Sequence, residues 1–183
     1  MTAIEPWQKL SSRSVFGNRW LHVTVDDVRL PDGRTYEYTT IRRPLAGVGV
    51  VVMNDRRQLL LEREYRFPVD EVIYQVPGGL ADVGEDPDVC IRRELAEETG
   101  LIAGAVHFLG AVWNNPAASD GISYIYFCRD VRAGGQVRHD QAEFIDWDWY
   151  DLDWVKDRVA DGTIKDRVVV SALTYLWLAG EIG

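Results

Sequence analysis

Along residues 18–30 the side chains alternate, with Leu21, Val23 and Val25 on one face and Trp20, His22 and Thr24 on the other. A period of two predicts a half-buried strand. Pro31-Asp32-Gly33-Arg34 reads as a turn, because proline presets φ and glycine tolerates positive φ. Residues 35–41 return as a second strand, so an antiparallel hairpin is expected. Residues 1–17 have no such period and read as a loose lead-in. Arg43-Pro44 marks the candidate boundary, with 1–43 as an N-terminal hairpin extension and 44–183 as the main domain.

Beyond that boundary the elements mix. Residues 47–53 form an apolar run of the kind found in buried strands, followed by a turn at 55–57 and a strand over 58–64. A strand at 72–76 is stopped by Pro77-Gly78-Gly79, and residues 86–99 have helical composition. Strands are expected at 106–113 and 122–128, split by a loop over 114–121, and at 144–149. Helices are expected over 151–160 and 166–178, with Gly162 and Gly180 as stops. Strands and helices without regular alternation predict an α/β (α+β) fold, a mixed sheet sandwiched by helices.

The 183 residues, 46% of them apolar, suit one compact domain with a small appendage. No apolar run approaches the ~18 residues of a membrane span, and the N-terminus lacks the apolar core of a secretory signal, so no membrane partner is expected. A net charge of −9 with no Lys/Arg-rich run argues against a nucleic-acid partner. A small ligand fits better, and if it is anionic, bound cations can supply the missing positive charge. Cys90 and Cys128 are too few for a disulfide framework or a four-cysteine zinc site, and they suit a reducing, cytoplasmic setting.

The informative segment is GLADVGEDPDVCIRRELAEETGL, residues 79–101. Glu97 and Glu98 lie three and four residues after Glu94, offsets that share one helix face. Glu85 precedes the helix and can fold back toward them. Clustered carboxylates repel one another and call for a cation, and a hard ion such as Mg²⁺ takes oxygen ligands. Arg93 can hold one carboxylate through a bidentate pair.

This segment matches G-x5-E-x7-R-E-U-x-E-E-x-G-U, where U is a large aliphatic residue, through Gly79, Glu85, Arg93, Glu94, Leu95, Glu97, Glu98, Gly100 and Leu101. Seven fixed residues at roughly 6% abundance each recur by chance about once in 10⁸ windows. The pattern is the Nudix box, and the chain resembles a Nudix hydrolase. The resemblance implies an α/β/α sandwich and hydrolysis of a nucleoside diphosphate linked to another group, using two or more Mg²⁺ or Mn²⁺ ions. It implies metal binding by Glu94 and Glu98, with Glu97 and the carbonyl of Gly78 in support.

Within the family the chain is similar to the ADP-ribose pyrophosphatase group. Pro116 stands fifteen residues after Leu101, and the expected hairpin corresponds to an extension that exchanges between the subunits of a homodimer. That likeness implies base stacking by Trp20 and Tyr36, substrate contacts by Arg66 and by Arg42 or Arg43, and water activation by Glu143, with Asp140 the weaker candidate and a box glutamate such as Glu97 the alternative. Two acids of the group are missing. Gln75 stands two residues before Pro77, and Gly121 follows Ser119-Asp120 where an acid is usual. The expected substrate is therefore ADP-ribose, giving AMP and ribose 5-phosphate, or a related nucleoside diphosphate sugar, with GDP-mannose or another nucleotide sugar as the alternative. A catalytically silent nucleotide-sugar sensor is the alternative of another class. Sanitation of oxidised nucleoside triphosphates fits less well, because those relatives lack the hairpin.

Overall fold

The computed structural model describes residues 4–183. It divides into two compact units, one formed by the N-terminal stretch to Leu45 with Trp113–Gly121, the other by Ala46–Val112 with Ile122–Gly183.

The smaller unit is built on three antiparallel strands, β1 (Gln8–Gly17), β2 (His22–Arg29) and β3 (Thr35–Arg42), with β2 in the middle. The expected hairpin is β2–β3, in a register running from His22↔Arg42 to Arg29↔Thr35. The lead-in expected over residues 1–17 is corrected by the structure. Residues 8–17 form β1, paired with β2 and carrying two register shifts, between Lys9 and Ser11 and between Ser14 and Phe16. All ten of its residues are exposed, so burial imposes no period on the sequence. Residues 113–121 join the same unit, with Ile41 donating its amide to the Ala118 carbonyl at 2.8 Å and the Tyr38 hydroxyl donating to that of Ala117.

The larger unit is a sandwich. β4 (Gly47–Val52) runs parallel to β9 (Ile122–Cys128), with β8 (Val106–Trp113) beyond it. β5 (Gln58–Arg66) lies antiparallel between β6 (Glu71–Gln75) and β11 (Asp146–Asp151). A further short pair joins β7 (Leu101–Ala103) to β10 (Val131–Ala133). The helices are α1 (Pro87–Thr99), α2 (Leu152–Ala160) and α3 (Arg167–Leu178). Among the described residues no helix is long and apolar enough to cross a membrane.

Side-chain alternation divides the core between two layers. Val48, Val50, Val52 and Leu60 pack with Cys90, Ile91 and Leu95 of α1. Val51, Met53, Leu59 and Leu61 pack with Leu152 and Val155 of α2 and Val169, Ala172 and Leu176 of α3. This is why residues 47–53 and 59–61 read as unbroken apolar runs: both faces are covered by helices. Burying a leucine such as Leu95 contributes about 1.5–3 kcal/mol, and truncating it to alanine costs about 2–5 kcal/mol. Trp147 and Trp149 pack on the α1 layer and Trp154 on the other.

Candidate active site

Helix α1 carries the carboxylates, and its ends are fixed by local chemistry. Asp86 caps the N-terminus by accepting from the Asp88 amide at 2.8 Å, and Pro87 supplies the first helical φ. Gly100 ends the helix at φ 73°, a left-handed conformation that glycine adopts without strain. The C-terminal carbonyls, which a helix leaves unpaired, accept hydrogen bonds from the loop that follows β10. Gly135 N–H donates to Gly100 at 2.9 Å, Arg138 N–H to Glu97 at 2.8 Å, and His139 Nε2 to Glu98 at 3.1 Å.

The turn before the helix brings backbone against the same face. The Val48 amide donates to the Gly79 carbonyl and that of Val50 to the Pro77 carbonyl, both at 2.9 Å. A Cβ on Gly78 would stand 2.1 Å from the Val48 carbonyl oxygen, and one on Gly79 would stand 2.5 Å from Glu94 Oε1. Backbone leaves no room for a side chain at Gly78, so glycine is required there, whereas a side chain at Gly79 would push the Glu94 carboxylate aside.

Arg93 gathers the acids. Its Nε and one terminal nitrogen grip Glu85 at 3.0 and 2.9 Å, and the other terminal nitrogen reaches Glu94 at 2.9 Å and Glu97 at 3.1 Å. That fork holds the Glu85 carboxyl down at about 2. Glu97 also pairs with Arg138. Glu98 accepts the Gly78 amide at 2.8 Å and is otherwise buried, so its carboxyl is pushed well above the ordinary range, first by desolvation and then by the charge of Glu62. Burial raises Glu94 as well, against the pull of Arg93.

Glu143 lies on the loop that begins at α1's C-terminal end. Its carboxylate accepts the Asp140 amide at 2.8 Å, and its charge adds to the raising of Glu64, Glu94 and Glu98. Fold closure thus brings an acid forty-two residues past the motif into the same electrostatic cluster.

Two residues of this cluster were missed by the sequence reading. Glu62, on β5, is fully buried. The preceding Leu59-Leu60-Leu61 run, buried on both faces, was the signal that the next position is also interior. His139 falls in no motif of the sequence, and only the fold places it on the Glu98 carbonyl. Arg66, expected on substrate, contacts Gln75 Oε1 at 2.8 Å and Glu64 at 2.9 Å. Gln75 in turn donates to Glu64 at 2.9 Å and more weakly to Glu62 at 3.4 Å.

The remaining candidates lie in the smaller unit. A cavity of about 610 Å³ is lined by Trp7, Tyr38, Arg42, Trp113, Pro116 and Asp120, among others. Arg42 pairs with buried Asp26 at 3.1 Å and with Asp120 at 3.3 Å. Trp20 and Tyr36 do not line it. Trp20 lies under the Arg19 guanidinium, 4.3 Å from its ring centre, and Tyr36 meets Trp7 and Tyr38 edge to face.

The donor set of the larger unit suits a hard divalent cation. It offers carboxylate oxygens and a backbone carbonyl, and one buried oxygen, Glu62 Oε1, has no hydrogen-bond partner among the described residues. No three acidic, histidine or cysteine side chains of the described residues already stand as a ligand shell, because Arg93, Gly78 and Gln75 engage them. An α/β/α sandwich with glutamates gathered on one short helix behind a glycine turn defines a class of hydrolases that act through divalent metal. The chain belongs to the Nudix family: the NUDIX domain model matches residues 43–173. A second model, the nucleoside diphosphate sugar hydrolase N-terminal domain, matches residues 7–41. Nudix hydrolases generally use divalent ions such as Mg²⁺.

The chain is 30% identical over 170 residues to a methanol dehydrogenase activator of Bacillus methanolicus, covering 92% of this chain and 91% of that one. It is 25% identical over 170 residues to an ADP-ribose pyrophosphatase of Bacillus subtilis (strain 168), with the same coverage. The fold is shared with a crystal structure of an ADP compounds hydrolase, at a TM-score of 0.84 and 24% identity, covering 99% of this chain and 98% of that one.

Proposed function

We propose that the protein hydrolyses the pyrophosphate of ADP-ribose or a related nucleoside diphosphate sugar. Water adds to one phosphorus, the bridging P–O bond breaks, and AMP and ribose 5-phosphate leave. The observation that carries this reading is the gathering of Glu94, Glu98 and the distant Glu143 into one electrostatic cluster beside the Gly78 turn. The likeness of residues 7–41 to the N-terminal domain of nucleoside diphosphate sugar hydrolases supports the substrate class.

In this reading Glu94, Glu98 and the Gly78 carbonyl hold two or more Mg²⁺ or Mn²⁺ ions, with Glu97 in support. The bound ions supply positive charge to the pyrophosphate oxygens and acidify a water. Arg93 orients Glu94 and Glu97 through its fork. Glu143 orients the attacking water and takes its proton. Arg66 and Arg42 contact the substrate, with Trp20 and Tyr36 available to stack on the base.

The proposed assembly is a homodimer in which the extension, residues 1–43, is exchanged and completes substrate binding, residues 44–183 forming the hydrolase domain. β1 supports this, because an edge strand exposed along its length with Leu10, Val15 and Phe16 on it is a template for pairing. Light scattering that gives a fully active monomer at micromolar concentration would overturn the assembly. Two free cysteines, both buried, suit a cytoplasmic setting.

A panel of ADP-ribose, GDP-mannose and other nucleotide sugars with Mg²⁺, followed by AMP, GMP and orthophosphate release, tests the activity. GDP-mannose belongs in it because Gln75 and Gly121 replace acids of the ADP-ribose group. AMP with ribose 5-phosphate is the expected product pair; no turnover of any member would favour a silent sensor and overturn the proposal.

A further inference from the structure

Glu62 sits where a glutamate is costly. Strand β5 is flanked on both sides, with Gln75 of β6 and Trp147 of β11 as the register partners of Glu62, so no sheet edge lets the side chain reach water. Alternation along β5 puts it on the face of Leu60, which belongs to the layer packed against α1. It is completely buried. Its Oε2 takes one long bond from Gln75 at 3.4 Å, and its Oε1 has no partner among the described residues.

A buried carboxylate needs compensating charge or hydrogen bonds. Arg66, four residues further along β5, spends its fork on Gln75 and Glu64 instead. The face of β5 that carries Glu62 packs on α1, whose Glu98 is also buried and accepts the amide of Gly78, three residues beyond Gln75, the register partner of Glu62. Two buried carboxyls thus come from the two sides of one layer, one from the sheet and one from the helix, and the sheet one keeps an oxygen that no described residue satisfies.

We propose that Glu62 is a further carboxylate of the divalent-cation site, approaching from the sheet while Glu94 and Glu98 approach from the helix. This rests on the placement of the cation at α1 given above and extends it to a residue outside the sequence motif. The alternative is a bare carboxyl–carboxylate pair, in which Glu62 only hydrogen-bonds Glu98 and has no part in metal binding.

The test is binding of Mn²⁺ alone to the full chain, with free ion counted by electron paramagnetic resonance and no substrate present. Variants are Glu62→Gln, Glu98→Gln and, as a control for loss of one negative charge far from the site, the exposed Asp153→Asn. Glu62→Gln is expected to weaken at least one Mn²⁺ equivalent tenfold or more, as Glu98→Gln does, while Asp153→Asn stays within twofold of the parent. Glu62→Gln should also lose most of the rise in melting temperature that saturating Mn²⁺ gives the parent. If Glu62→Gln does not fold, Glu62→Met, of similar length and apolar, takes its place. Parent-like Mn²⁺ binding in the Glu62 variant with weakened binding in Glu98→Gln would overturn this proposal and leave the helix site standing. Parent-like binding in both would overturn the helix site as well.

Discussion

Arg93 and Glu85 meet through two parallel hydrogen bonds, Nε to Oε1 at 3.0 Å and a terminal nitrogen to Oε2 at 2.9 Å. The pair leaves the second terminal nitrogen free to hold Glu94 and Glu97, so the residue before the helix and the carboxylates on it are oriented by one rigid plane. Lysine carries the same charge without that plane. Arg93→Lys is therefore expected to lower kcat at least tenfold, with a smaller change in Mn²⁺ affinity. Equal kcat in the two proteins would show that charge alone suffices.

Protonation separates the two kinds of glutamate in this site. Glu85, held down at about 2 by Arg93, contributes stability above its ordinary value of 4.5, and that contribution is lost as pH falls toward 2. Glu62 and Glu98, pushed up by burial, act in the opposite sense. The folded state binds more protons than the unfolded one, so their contribution falls as pH rises above 4.5. Without metal, Glu98→Gln should therefore gain stability relative to the parent between pH 5 and pH 8, read as a growing difference in denaturation midpoint. A difference that shrinks with pH would reverse the assignment.

Gly79 leaves no room for a methyl group beside Glu94. Gly79→Ala should displace that carboxylate while the core packing of α1 persists. The expected result is a loss of kcat of about 10²-fold, comparable to removing one electrostatic contact, with an unchanged far-ultraviolet circular dichroism spectrum. Near-parent activity would mean that the Glu94 side chain moves aside without consequence.

Glu143→Gln should lower kcat and leave KM nearly unchanged, because a group that orients water acts on the transition state rather than on bound substrate. His139→Ala should produce a milder version of the same split. Losing one hydrogen bond to the Glu98 carbonyl costs about 0.5–1.5 kcal/mol, or roughly two- to twelvefold in rate if it loosens Glu143. His139→Gln, which keeps a donor, should recover part of that loss. A KM effect without a kcat effect in Glu143→Gln would move the water-activating role to Glu97.

The legible parts of this chain were those where burial or capping acts locally. Asp86, Pro87 and Gly100 delimit α1 within a residue of the span expected from composition, and the apolar run at 47–53 locates β4. β1 left no mark because none of its side chains is buried, and the three-residue strands β7 and β10 are too short to show a period. Of the site, the helix acids follow from spacing alone. Glu62 and His139 join them only through the register of β5 and the path of the 134–143 loop, which are tertiary facts. Gln75 was visible as a departure from pattern, but its position between Glu62, Glu64 and Arg66 was not.

The loop after β10 docks on the open end of α1 by giving its amides to carbonyls that have no other acceptor duty. Lifting it away gives up these hydrogen bonds and turns the Glu97 and Gly100 carbonyls over to water, which couples its opening to the fraying of the last turn of the helix. In hydrogen exchange the amides of Gly135 and Arg138 should therefore share the protection of the helix terminus rather than behave as loop amides. Glu143 lies on that same loop, so the motion that would part it from the helix glutamates is the motion that opens the end of the helix.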